Sequence, residues 1–193
     1  MTTQTPERQT ARERLLAAAQ ELFYEEGVNT VGIDRVIERA GVAKASLYSA
    51  FGSKEELIRA YLQARHEARQ SRMKAALARY RNPKDRLLGV FDVMAELFAE
   101  PNYRGCAFMR ASAEAKSGSS VKTVCEDSRA WTRSLFTELA RDAGVSKPEE
   151  LVGQLVLLYD GATVCAQMDR DFGAAARARA VAAVLLHAAQ RVR

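Results

Sequence analysis

Residues 30–57 read TVGIDRVIERAGVAKASLYSAFGSKEEL. Ile33, Val36, Ile37 and Ala40 recur at helical spacing and make one apolar stripe. Gly41 follows at once, and a glycine there takes the positive φ that ends a helix. Val42 fills the corner. Helical spacing resumes from Lys44 to Phe51, with Leu47, Tyr48 and Phe51. Two helices joined by a turn of about three or four residues containing glycine form a helix-turn-helix unit, whose second helix fits the major groove of DNA. Ser53-Lys54-Glu55-Glu56 then reads as a capping box, and Leu57 and Ile58 open the next apolar run.

Upstream, a first helix is expected from about Thr10 to Glu26, with Leu15, Ala19, Leu22 and Phe23 on one face and Gly27 as its stop. Two short helices alone bury too little apolar surface, so this helix must clamp them. Residues 1–9 are polar and are expected to be disordered. Arg8, Arg12 and Arg14 have the reach of a phosphate-brushing arm, although Glu7 and Glu13 oppose it.

The stretch resembles the N-terminal signature of the tetracycline-repressor (TetR) family of bacterial transcription regulators. Gly27, Ala40, Gly41, Val42, Leu47, Tyr48, Phe51, Lys54 and Leu57 match in register, over roughly residues 10–60. Ser49-Ala50 stands where relatives often carry a His before the Phe, and Gly32 where Ser or Thr often starts the second helix. The resemblance implies that Lys44, Ala45, Ser46 and Ser49 face bases or nearby phosphates, with Thr30 beside them. It implies that Tyr48 and Lys54 hold the DNA backbone. Ala45 offers only a methyl contact, for instance to thymine.

Downstream, the composition favours helix nearly throughout: Ala, Leu, Arg and Glu are frequent, and Pro and Gly are sparse. The expected fold is all-α with about nine helices. Residues 1–52 are expected to form the helix-turn-helix DNA-binding domain, and 53–193 a helical domain for ligand binding and dimerisation. A long fourth helix from Ser53 to about Arg81, stopped by Asn82-Pro83, is read as the connector. The helix from about Leu151 to Met168 is apolar almost all round, with Asp160 its one charge, so it is buried on more than one side. An Ala-rich last helix follows. This pair predicts a two-fold homodimer through Leu155, Val156, Val181, Val184, Leu185 and Ala188.

Candidate pocket residues for an unknown small-molecule inducer are Phe91, Met94, Phe98, Phe108, Met109, Trp131, Leu135, Tyr159, Asp160 and Met168. A lone charge on an apolar helix must be paired or hydrated, so Asp160 reads either as a salt bridge or as a polar anchor. Cys106, Cys125 and Cys165 show no pairing pattern and suit a reducing, cytoplasmic setting, where they are either small core residues or a thiol switch.

Charge does not by itself announce DNA binding. The net charge is +5, but residues 1–60 hold eight Lys/Arg and nine Asp/Glu. The surplus sits at residues 61–81, on Arg65, Arg69, Arg72, Lys74, Arg79 and Arg81 against Glu67, and reads as a solvated face. Enzyme readings fare badly. The two histidines, His66 and His187, lack partners at metal spacing, and no phosphate-cradling glycine loop or nucleophile elbow occurs, so no catalytic residue, metal or cofactor is expected. No secretory signal and no membrane span is expected. The reading is a dimeric regulator, a repressor released from a palindromic double-stranded operator by an inducer. The alternatives are a thiol-based redox-sensing repressor and a constitutive DNA-binding module.

Overall fold

The computed structural model of the protein describes residues 9–191. Among them the fold is all-α, with nine helices and no strand. These are α1 Ala11–Glu26, α2 Ile33–Ala40, α3 Lys44–Phe51, α4 Lys54–Leu77, α5 Pro83–Phe98, α6 Ala107–Glu114, α7 Ser120–Asp142, α8 Pro148–Met168 and α9 Ala174–Arg191. The chain forms two compact units. The first ends at Arg65 and also takes in Ala107–Cys125; the second is His66–Cys106 together with the residues from Glu126 onward. The division falls inside α4 and again inside α7. It groups residues by packing, whereas the division expected at residue 52 separates the DNA-reading helices by role.

In the first unit, α1 opens on a capping box at Thr10. Thr10 Oγ1 accepts from the Glu13 N–H at 3.2 Å, and the Glu13 carboxylate accepts from the Thr10 N–H at 2.8 Å. α1 packs on α2 and α3 through Leu15, Ala18, Ala19, Leu22 and Phe23, all buried. Gly41 is left-handed at φ 61°, ψ 45°, as the sequence predicts, and so ends α2. Arg14 Nη1 donates to the Gly41 carbonyl at 3.1 Å, which ties α1 to that turn. Arg14 thus serves as a clamp between α1 and that turn, while Arg8 lies outside the described residues. Ser53 caps α4 by accepting from the Glu56 N–H at 3.1 Å; the Glu56 carboxylate turns to Arg59 Nε, at 2.7 Å.

The same unit holds α6 and the start of α7 by polar bonds. Arg110 Nη1 donates to the Tyr24 carbonyl in the last turn of α1, at 2.9 Å. Asn29 donates to the Glu114 carboxylate. Ser120 donates through both N–H and Oγ to Glu55 Oε1, at 3.2 Å each.

In the second unit α9 packs on α5 and α8, and the small side chains of Ala175, Ala178 and Ala182 are buried there. α4 stops at Leu77, a turn short of the expected Arg81. The cause is Tyr80: its carbonyl accepts from Arg86 Nε and Nη2 at 3.2 and 3.0 Å, and its hydroxyl donates to Asp92 at 2.9 Å. Tyr80 is thereby turned onto α5, beside Gly89, where a larger residue would meet its ring. α8 is long and apolar enough to cross a membrane by length and composition. Part of that apolar surface is used on the core, where Leu151, Val152, Leu155, Val156, Ala162 and Ala166 are buried.

Candidate nucleic-acid interface

α3 is held by one apolar peg. Leu47 is fully buried, and it is the only buried residue of the helix. Lys44, Ala45, Tyr48 and Ser49 are exposed, while Ser46 is half-buried. The expected DNA-facing residues of α3 therefore stand on open surface of a short, well-anchored helix. Tyr48 is 47% exposed, so it belongs to this surface and not to the apolar face shared by Leu47 and Phe51. A shallow groove runs between the start of α1 and α3, lined by Thr10, Arg12, Ala45, Ser46 and Ser49 among others. The Arg12 guanidinium lies 5.0 Å from the Phe51 ring centroid, which keeps that charge beside the groove. Thr30 is exposed on the connection between α1 and α2.

The N-termini of α2 and α3 carry no side-chain cap; Gly32 and Ala43 occupy the cap positions. Open N–H groups and the positive end of the helix dipole suit a phosphate. Lys54 begins α4, and partial burial lowers its ammonium below the ordinary lysine value. A phosphate brought to it would oppose that effect. Four other cations of the unit are already paired with carboxylates. Arg35 pairs with Glu26, Arg39 with Glu21 and Arg59 with Glu56. Lys44 Nζ pairs with Asp34 Oδ1 at 2.9 Å, and that hydrogen bond, reinforced by charge, raises the Lys44 ammonium above its ordinary value. The near-neutral count over residues 1–60 thus has a geometric counterpart in paired side chains.

A buried peg, an exposed second helix, a left-handed glycine turn and a clamping first helix define a helix-turn-helix DNA-binding protein. Residues 15–61 match the family model described as bacterial regulatory proteins, tetR family. The HTH-type transcriptional activator FasR of Mycolicibacterium smegmatis is 30% identical over 165 residues, covering 82% of this chain and 74% of FasR. The HTH-type transcriptional regulator TtgR of Pseudomonas putida is 36% identical over 61 residues, 32% of this chain and 29% of TtgR. The crystal structure of a TetR-family transcriptional regulator from Streptomyces coelicolor superposes with a TM-score of 0.88 at 29% identity, covering 94% of this chain and 90% of that one. The chain belongs to the TetR family and is a DNA-binding transcriptional regulator.

The expected pocket residues divide between the two units: Phe108 falls in the first, and Phe91, Met94, Phe98, Trp131, Leu135, Tyr159 and Asp160 in the second. Phe91, Met94 and Phe98 are buried core. Phe136, absent from the expected set, is fully buried between Phe91, at 5.9 Å between ring centroids, and Tyr159, at 6.1 Å. Thr132 interrupts the apolar series of α7 one turn before it, which hides the position from a hydrophobicity reading. Arg69 of α4 stacks over Trp131 at 4.7 Å and donates from Nη2 to the Ser128 carbonyl at 3.0 Å and to Thr132 Oγ1 at 3.2 Å. Burial pushes the Tyr159 phenol up, against the pull of the Arg69 guanidinium. Asp160 takes Arg129 Nη1 at 2.6 Å, so its charge is met by a salt bridge from α7. Met109 and Met168 are exposed, at 41% and 74%, and do not line a core.

Two of the expected dimer residues need correction. Leu155 and Val156 are buried in the protomer's own core, at 0% and 1% exposure, and no partner surface can reach them. The exposed apolar residues of α8 are Leu157, at 72%, and Met168. On α9, Val181 and Val184 are exposed at 47% and 69%, Ala188 is exposed, and Leu185 is half-buried. All three cysteines are free; Cys125 is buried, and Cys106 and Cys165 are half-buried.

Proposed function

We propose that the protein is a homodimeric, ligand-responsive regulator that binds a palindromic operator through α3 and is released by a small-molecule inducer. The observation that carries the DNA-reading part is α3 itself: Lys44, Ala45, Tyr48 and Ser49 are exposed around the single buried peg Leu47. In this reading Lys44, Ala45, Ser46 and Ser49 meet base edges or adjacent phosphates. Thr30 stands beside them, and Tyr48 and Lys54 hold the backbone. Residues 1–52 do the reading, and 53–193 dimerise and take the ligand in the cytoplasm. The dimer is supported by the apolar side chains that α8 and α9 leave in water, Leu157, Met168, Val181 and Val184. Ligand control is supported by the continuity of α4, whose residues belong to both compact units. A ligand shifts DNA binding only by its differential affinity for the two states, about 1–3 kcal/mol for a coupled pair of sites.

Whether the bound dimer represses or activates follows from where its operator lies relative to the promoter; FasR is named an activator. We favour repression, in which the dimer occupies DNA that polymerase needs. Selection of bound DNA from a random pool tests the core of the reading. Two inverted half-sites with centres about 34–36 Å apart, one turn of DNA, are expected. Enrichment of a single, unrepeated site would overturn the dimeric operator.

A further inference from the structure

We propose that Asp34 sets the selectivity of DNA binding by competing with DNA for the Lys44 ammonium. The proposal rests on the reading of Lys44 as a DNA-facing residue. Asp34 stands in the first turn of α2 and Lys44 is the first residue of α3, and the helix-turn-helix bend brings these two turns together. Lys44 Nζ and Asp34 Oδ1 are 2.9 Å apart. The side chains are 57% and 80% exposed, so the pair lies on open surface and DNA can reach both partners.

The consequence follows from what a phosphate gains there. A phosphate that draws Lys44 must share its ammonium with Asp34 or displace it, and in either case the carboxylate sits beside a polyanion. A phosphate, which every sequence offers, thus gains little from Lys44. A base edge is different. Lysine donates to guanine O6 and N7, and aspartate accepts from the cytosine amino group. A phosphate can replace Asp34 for Lys44 but offers the carboxylate nothing, and only a duplex with a suitable base at this position gives Asp34 a partner as well. The carboxylate thereby withholds a sequence-independent contact and leaves a sequence-dependent one. Arg35, Arg39 and Arg59 are likewise paired with carboxylates, so Lys44 is one of several cations of the unit whose charge a carboxylate already meets.

The test is a set of three variants, Asp34→Asn, Lys44→Gln and the double variant. Each is titrated by fluorescence anisotropy against a mixed-sequence duplex and against the duplex selected from a random pool, over a range of salt. Both positions are exposed, and thermal melts verify that all three variants fold. Asp34→Asn is expected to tighten binding to the mixed-sequence duplex about two- to five-fold, the size of one exposed ion pair. It is expected to steepen the log–log salt dependence by about 0.9, one added phosphate. The preference for the selected duplex should fall, and in the Lys44→Gln background these gains should vanish. An equal gain in the Lys44→Gln background would mean that Asp34 acts by its own repulsion of DNA, which overturns the proposal. No gain from Asp34→Asn, with Lys44→Gln still weakening binding, overturns it and leaves Lys44 as a DNA contact. No effect of Lys44→Gln on either duplex removes both.

Discussion

Replacing Val184 by glutamate separates folding from association. Val184 is 69% exposed on α9, so the protomer alone loses little when it changes. Exposed substitutions of this kind usually move stability by no more than about 0.5 kcal/mol, and glutamate is a better helix former than valine. In the proposed two-fold interface the same carboxylate is desolvated without a partner, at about 3–5 kcal/mol. Symmetry places a copy in each subunit. The penalty of one copy, taken at about 3 kcal/mol, already weakens the dimer by roughly 100-fold, since each 1.4 kcal/mol is about a factor of ten. Sedimentation velocity at micromolar concentration should show a folded monomer that keeps its helical signal, with a melt lowered only by the lost association. Binding to a two-half-site operator should fall although α3 is untouched. Leu155→Ala is the contrasting control: Leu155 is fully buried in the protomer, and its truncation should cost about 2–5 kcal/mol of folding stability. A Val184→Glu protein that stays dimeric would refute the α8–α9 interface.

Lys54→Ala should weaken binding to all duplexes alike and flatten the salt slope by about one unit, whereas Ser46→Ala should alter sequence preference by about 1 kcal/mol or less. Equal effects of the two on sequence preference, read by competitive binding, would contradict their roles. His66 supplies a pH dependence. Burial first, and then the Arg69 charge, lowers its pKa in the folded state, and Gln70 Nε2 lies 2.9 Å from His66 Nε2. Its unfolded value is about 6.5, so below that the unfolded chain takes up a proton that the folded chain resists. Stability is therefore complete above about pH 6.5 and declines as pH falls through the folded value. The melting temperature of His66→Gln should vary less between about pH 7 and pH 5 than that of the parent; an identical pH profile would exclude His66 as the source.

The helix-turn-helix was legible because its signals are local. Gly41, the stripe Ile33–Val36–Ile37–Ala40 and the peg Leu47 are fixed by neighbours a few residues away. Even there the local code has limits: Tyr48 shares the helical spacing of Leu47 yet faces water. In the second unit, local pattern gave the helices but not their faces. From Leu151 on, α8 is apolar almost all round, so little in its own sequence says that Leu155 and Val156 turn inward while Leu157 stays in water. That choice is made by α9, whose alanines let the two helices approach. The end of α4 was likewise decided at a distance in sequence, by Arg86 and Asp92 reaching back to Tyr80. Phe136 was missed because Thr132, a hydroxyl that hydrogen-bonds the Ser128 carbonyl of its own helix, breaks the apolar series ahead of it. The pairing of Lys44 with Asp34 joins two residues ten apart, and only the bend between the helices makes them neighbours.

The first compact unit is discontinuous: α1 to the middle of α4, completed by Ala107–Cys125. During synthesis, α1, α2 and α3 leave the ribosome well before the residues that finish their surroundings. Until Arg110 arrives, the Tyr24 carbonyl at the end of α1 lacks the bond that ties it to α6, and Glu55 waits for Ser120. The intervening His66–Cys106 must be threaded out as a loop, and the entropy of closing it is met only when these late contacts form. A nascent chain ending near Arg65 therefore carries the whole recognition helix without the bonds that anchor α1 from behind. Maturation of the DNA-reading surface is thereby timed to the appearance of α6 and the first turns of α7, and a ribosome paused before residue 107 would display an immature reader.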